Sequence, residues 1–138
     1  MFDILPSGII ENYSGPGGVV IVPEKINEIV VRVIGSNAFR EVPKLKSVTL
    51  PEGLAVIGHF AFYGNPELVT VKISKTLTFV GAFAFAFCPK LKNIALPKSI
   101  MAVGKYAFLN TPHEEPPFPL ESTASFGSSE AFFSWSGR

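Results

Sequence analysis

Apolar residues in this chain recur with a period of 23 residues, which is neither the 3.6 of a helix nor the 2 of a lone strand. Leu45, Leu68 and Leu91 keep that step, as do Val48, Val71 and Ile94, and Leu50, Ile73 and Leu96. A second apolar stretch follows in phase, with Leu54, Leu77 and Ile100 and then Ile57, Val80 and Val103. Next come Gly58, Gly81 and Gly104, and behind them the pairs Ala61-Phe62, Ala84-Phe85 and Ala107-Phe108. An aromatic precedes each pair, as Phe60, Phe83 and Tyr106, and Pro43, Pro66, Pro89 and Pro112 keep the same spacing. Self-similarity at a fixed period of this size is the mark of a repeat architecture.

Each unit opens on Leu-x-x-Val-x-Leu, whose second half alternates and predicts a short strand with one face buried. Pro51 and Pro97 end that strand, because proline has no N–H for the ladder. The recurring glycine predicts a positive φ or a close backbone approach at a corner. The segment Gly58 to Gly64 is about two turns long at helical rise, so a short α or 3₁₀ turn is expected there. No unit of this length buries its apolar stripe alone, so coils must stack and their strands pair in parallel, about 4.8 Å apart. Phe62, Phe85 and Phe108 then form a column through the core, with Phe39 capping it on the N-terminal side. The expected fold is a solenoid of short parallel β-strands and short turns, about 23 residues per coil, with four to five coils.

The ends depart from the period. Gly35, Ala38 and Phe39 mark an upstream unit, but Pro23 lies twelve residues before Gly35 where Pro51 lies seven before Gly58. Five extra residues must therefore loop out within Glu24–Arg32. Downstream, in Phe126-Gly127 and Ala131-Phe132, the glycine and Ala-Phe marks return, the latter one residue late. The chain divides into an N-terminal cap over 1–16, a solenoid over 17–112, and a stretch 113–138 read as a degenerate capping repeat or a Pro/Ser-rich tail without fixed structure.

Composition narrows the function. The 138 residues are 47% apolar and 17% charged, which excludes disorder by composition. Twelve Lys and Arg nearly cancel eleven Asp and Glu, so nothing in the overall balance favours a nucleic-acid partner. No run approaches the ~20 apolar residues that span a bilayer. Met1 to Pro6 lack a basic segment followed by an apolar run, so no secretory signal is read; the chain is either cytosolic as written or a piece of something longer.

Catalytic chemistry finds little support. His59 and His113 stand 54 residues apart in different coils, and His59 occupies a position that is Ala82 and Lys105 in the next units. A general base needs a positioned partner, and none is evident. Gly-x-Ser-x-Gly is absent, and Gly15-Pro16-Gly17-Gly18 lacks the Lys and Ser/Thr of a phosphate loop, which leaves it as a turn. Cys88 is the single cysteine; between Phe87 and Pro89 it reads as a small buried apolar residue. No enzyme activity, metal or cofactor is expected. Function falls instead on strand positions where the repeat varies: Lys46, Ser47, Thr49, Thr70, Lys72, Lys92 and Asn93, with Val69 and Ala95 beside them. Stacked across coils they form one small exposed sheet of polar and cationic character, a kind of surface that solenoids use for partners.

The unit Leu45 to Glu67, with its Ile-Gly-x-x-Ala-Phe element, resembles the BspA-type leucine-rich repeat. Tyr13 to Pro23, followed by Ile34-Gly35-Ser36-Asn37-Ala38-Phe39, is similar to that family's N-terminal segment, and the likeness covers about residues 10–112. Family members commonly carry a cysteine two or three residues past Ala-Phe; only Cys88 keeps it here, with Val42, Asn65 and Asn110 or Thr111 in the equivalent region. The resemblance implies a bacterial or protozoal surface protein, often an adhesin or binding module, and brings no catalytic residues. The functional expectation is a non-catalytic module for a protein or glycan ligand. The alternative is a structural spacer or self-associating unit, suggested by Phe126, Phe132, Phe133 and Trp135.

Overall fold

A computed structural model describes residues 1–113 and the strand Ser125–Phe126. The chain winds as a β-solenoid of about four turns, with two strand ladders where the Leu-x-x-Val-x-Leu pattern had suggested one. The strands are β1 (Phe2–Ile4), β2 (Ile9–Tyr13), β3 (Gly18–Ile21), β4 (Lys25–Ile26), β5 (Ile29–Val30), β6 (Val33–Ile34), β7 (Leu45–Thr49), β8 (Val56–Ile57), β9 (Thr70–Lys72), β10 (Phe79–Val80), β11 (Ala102–Val103) and β12 (Ser125–Phe126). The larger sheet runs β1-β2-β6-β8-β10-β11-β12, and the smaller runs β3-β7-β9. The larger one is built from the second apolar stretch of each repeat. Ile34 pairs with Ile57, Ile57 with Val80, and Val80 with Val103, all parallel.

The glycine that follows each of these strands is there for space. A Cβ on Gly58 would lie 2.8 Å from Ser36 N, and one on Gly81 would lie 2.6 Å from His59 N. Real Cβ atoms essentially never approach backbone so closely. The positive φ falls two residues later, on the aromatics Phe60 (57°), Phe83 (58°) and Tyr106 (58°).

Those left-handed residues explain why no α or 3₁₀ helix forms here among the described residues, contrary to the expected short helical turn. Two bonds stay inside the segment: Ala61 N–H to Gly58 O (3.3 Å) and Tyr63 N–H to Phe60 O (3.2 Å). The N–H groups of Phe60, Phe62 and Gly64 instead donate to Ala82, Ala84 and Ala86 of the next coil, at 3.0, 2.8 and 2.9 Å. Phe83, Phe85 and Phe87 repeat the pattern on Lys105, Ala107 and Leu109. Every second donor leaves the coil, so the corner is another inter-coil ladder. A helix would keep those donors at home.

Between the ladders lies the core, with Leu45, Leu54, Ile57, Leu68, Leu77, Val80 and Leu91 fully buried. The phenylalanine column is present: Phe39–Phe62, Phe62–Phe85 and Phe85–Phe108 stack with ring centroids 5.0, 5.2 and 5.3 Å apart. Phe39 does not end it. Tyr13 stacks on Phe39 at 5.0 Å and Phe2 leans on both rings, so the antiparallel hairpin β1–β2 covers that end. A second column, Phe60–Phe83–Tyr106, runs half-buried outside the first.

The five extra residues of the first coil form the antiparallel hairpin β4–β5. Asn27 and Glu28 both take positive φ (51° and 66°), the geometry of a two-residue primed turn. At the other end, Ala102 pairs with Ser125 and Val103 with Phe126, which keeps the step at 23. Gly127 stands one period after Gly104 in the sequence. The Ala131-Phe132 lag lies outside the described residues. Apart from His113 and the strand Ser125–Phe126, so does the stretch 113–138 expected as a degenerate cap or a tail without fixed structure, and with it the spacer or self-association reading that rests on the side chains of Phe126, Phe132, Phe133 and Trp135.

Candidate partner-binding face

The smaller sheet presents the varied positions outward. Its register sets Val19 beside Ser47 and Ile21 beside Thr49. It continues with Ser47 beside Thr70 and Thr49 beside Lys72. A single bridge from Thr70 to Asn93 extends the first of these rows into the next coil. Between Gly18↔Leu45 and Val19↔Ser47 the register shifts, so Lys46 occupies a bulge that leaves both it and Ser47 on the outer side. Leu45, Val48 and Leu50 point into the core from the same strand.

All seven positions singled out in the sequence reach this outer side. Lys46, Lys72, Lys92 and Asn93 are exposed, while Ser47, Thr49 and Thr70 are half-buried between neighbours. The Asn93 side-chain amide donates to Thr70 Oγ1 at 3.2 Å. Carboxylates are scarce along the strands. Glu67, at the strand entrance, pairs with Lys90 at 3.4 Å, an exposed contact of little energetic consequence. Lys72 and Lys92 line a shallow recess with Thr70 and Asn93 between the third and fourth coils.

The near-neutral total hides a segregation of charge. Residues 42–113 hold eight Lys and two Glu, whereas 1–41 hold five acids against three bases, and 114–138 hold four Glu and one Arg. The middle coils are thus strongly cationic.

One part of the face was not anticipated. Val19 and Ile21, on the edge strand β3, are 72% and 68% exposed and continue the two outward rows as apolar side chains. The run Gly18-Val19-Val20-Ile21-Val22 is uniformly apolar, so the sequence pattern could not say which members face water; Val20 and Val22 are the buried ones.

The equivalents of the family cysteine form an internal polar column. Asn65 is fully buried; its Oδ1 accepts from Val42 N–H at 2.8 Å, and its amide donates to Phe39 O and Phe62 O at 2.9 and 2.8 Å. Cys88 Sγ meets Phe62 O at 3.2 Å, and Thr111 Oγ1 donates to Phe108 O at 2.8 Å. These side chains satisfy corner carbonyls that the inter-coil ladder leaves open. Burial pushes the Cys88 thiol up to about 11, which suits a structural group and opposes thiolate chemistry. His59 is exposed, and its Nδ1 accepts from Ala82 N–H at 2.8 Å. His113 packs edge-on to Phe108, and burial lowers its pKa. Among the described residues no cluster of three His, Cys, Asp or Glu side chains could hold a metal ion, and no helix is long and apolar enough to cross a membrane.

Two ladders, a stacked aromatic core and glycine-clamped corners at a step of 23 define a leucine-rich-repeat solenoid. The family described as "BspA type Leucine rich repeat region" matches residues 22–136 in six copies, and the chain belongs to it. Among solved structures, a Treponema pallidum leucine-rich repeat protein (TpLRR) is 30% identical with a TM-score of 0.73, covering 78% of this chain and 52% of its own. A leucine-rich cell surface protein of Faecalibacterium prausnitzii is 25% identical with a TM-score of 0.70, covering 79% of this chain and 32% of its own. A leucine-rich repeat protein of Bacteroides capillosus is 25% identical with a TM-score of 0.66, covering 91% of each. The chain therefore spans about half or less of the first two. No curated protein matches it.

Proposed function

We propose that this chain is a non-catalytic binding module of a cell-surface protein, and that it holds a protein or glycan ligand on the outer side of β3, β7, β9 and the strand position around Asn93. The observation that carries this reading is the contrast within one strand. Positions 45 and 48 and their equivalents repeat as buried aliphatics, as do Leu50 and Leu96 with Ile73 part-buried between them, while the outward positions change from coil to coil. Such variation over a constant frame suits recognition, since it alters chemistry without touching the core. The cell-surface part is supported by family membership and by the surface location in the description of the F. prausnitzii neighbour.

The test is capture on peptide and glycan arrays by two variants. Ser47→Glu with Thr70→Glu and Asn93→Glu alters the face; Glu28→Lys with Arg32→Glu alters exposed charges on the hairpin side, away from the face. The reading expects the first variant to lose the array features that the parent captures and the second to keep them. Equal retention by both would refute it.

A further inference from the structure

We infer that the face is built for an extended acidic peptide segment with an apolar residue about four positions away from its carboxylates. This rests on the strand face being the binding surface and adds the chemistry and spacing of the partner. Two recesses bracket the face. The one between the third and fourth coils is cationic, with Lys72 and Lys92 exposed over Thr70 and Asn93. Lysine ammonium groups there act as point charges for carboxylates, with hydroxyl and amide groups alongside to complete the hydrogen bonds. The other recess, about 320 Å³, lies at the N-terminal edge beside β3 and is lined by Met1, Phe2, Tyr13 and Val19 among others. Met1, Val19 and Ile21 are each more than two-thirds exposed around it.

The two sites are separated by the crossing of β3, β7 and β9, about three strand spacings or roughly 14 Å. An extended chain advances about 3.3 Å per residue, so roughly four residues span the gap. Between the recesses the path is floored by Ser47 and Thr49, with Lys46 on its flank. No acidic side chain lies among residues 45–50, 68–73 and 91–96, so a carboxylate meets no like charge on the strands. The choice of a peptide over an acidic glycan comes from the apolar end. A polyuronate has nothing to place against Val19, Ile21 and Met1, whereas a leucine or isoleucine side chain does. The strand positions themselves also carry no aromatic ring on which a sugar could stack, since 45–50, 68–73 and 91–96 contain no Phe, Tyr or Trp.

Fluorescence anisotropy with the full chain tests this. The probe is a fluorescein-labelled peptide of leucine-isoleucine, three threonines and two glutamates; controls replace the glutamates by glutamine or move them next to the apolar pair. The inference expects the glutamine control to bind about tenfold or more weakly, and the closed-up control to lose several-fold. Lys72→Ser with Lys92→Ser should cost the probe about tenfold. Val19→Ser with Ile21→Ser should weaken the probe about tenfold and leave a glutamate-only peptide unchanged. Indifference to glutamine, or to the spacing, overturns the inference. So does displacement of the probe by oligogalacturonate below the peptide's own Kd, which would assign the face to acidic glycans. If no probe binds while array capture remains face-dependent, the peptide chemistry is wrong and the binding face stands. If capture is independent of the face, both fall.

Discussion

The two ladders of this solenoid are made from the same repeat yet carry different information. The larger sheet uses Val-Ile or its equivalents followed by glycine, and it stacks from β2 to β12 without a break. Its inward residues Ile34, Ile57, Val80 and Val103 stay aliphatic because they are buried, and the glycine after each is held by the backbone of the coil before, whereas the half-buried first positions run Val33, Val56, Phe79 and Ala102. The smaller sheet is shorter, three strands and one bridge, and its inward half is likewise fixed by burial. Its outward half passes from Val19 and Ile21 through Ser47 and Thr49 to Thr70, Lys72 and Asn93. Repetition thus reports what the fold requires, and departure from it reports where the fold is indifferent.

The largest effect falls on the core column. Phe85→Ala opens a void between Phe62 and Phe108 and should destabilise the chain by about 3–5 kcal/mol in urea unfolding; a loss under 1 kcal/mol would mean the column is not packed as described. The glycine corner comes next. Gly81→Ala drives a methyl into the backbone of His59 and should cost about 2–3 kcal/mol. Gly53→Ala, where a Cβ has open space but φ is +91°, should cost only about 1 kcal/mol. Equal losses would separate glycine from the clamp assigned to it.

Asn65→Ala removes three hydrogen bonds in the buried column and should cost about 2 kcal/mol by thermal or urea unfolding, since it strands the Val42 N–H. Asn65→Ser should recover little, because its hydroxyl cannot serve both sides.

Cys88 sharpens the comparison by pH. Burial favours the neutral thiol in the folded chain, and the unfolded chain loses that proton near 9.0 while the folded one holds it to about 11. Its contribution to stability is therefore full below pH 9 and is lost as pH rises toward 11. Cys88→Ala should lack that part of the alkaline decline, a difference of about 2 kcal/mol between the two pH profiles. A disulfide reagent at pH 8.5 should label the native thiol at least about a hundredfold more slowly than the unfolded one.

Much of this was legible in the sequence, for a physical reason. Identical contacts at every coil demand identical residues, so Phe62, Phe85 and Phe108, or Gly58, Gly81 and Gly104, announce the column and the corner by spacing alone. The second ladder was harder to see because a strand of two residues, such as Val56-Ile57, has no alternation to read. The spacing predicts a helical turn at the corner because nothing in Gly-His-Phe-Ala-Phe-Tyr-Gly signals that Phe60 is left-handed; that conformation is dictated by the next coil accepting its hydrogen bonds. The first-coil hairpin was visible as surplus length but not as a hairpin, since Asn27-Glu28 lacks the glycine that usually marks such a turn. On the candidate face, the polar positions followed from the strand pattern. Val19 and Ile21 did not, because an unbroken apolar run conceals its outward members.

Outward strand chemistry is free of the demands of the fold. The urea unfolding free energy of the chain carrying Lys46→Ser, Lys72→Ser and Lys92→Ser together measures that freedom. These side chains are exposed and take no part in the ion pairs Arg40–Glu41 and Lys90–Glu67, so the change should fall within about 1 kcal/mol of the parent. A loss approaching that of Phe85→Ala would show instead that the face belongs to the framework.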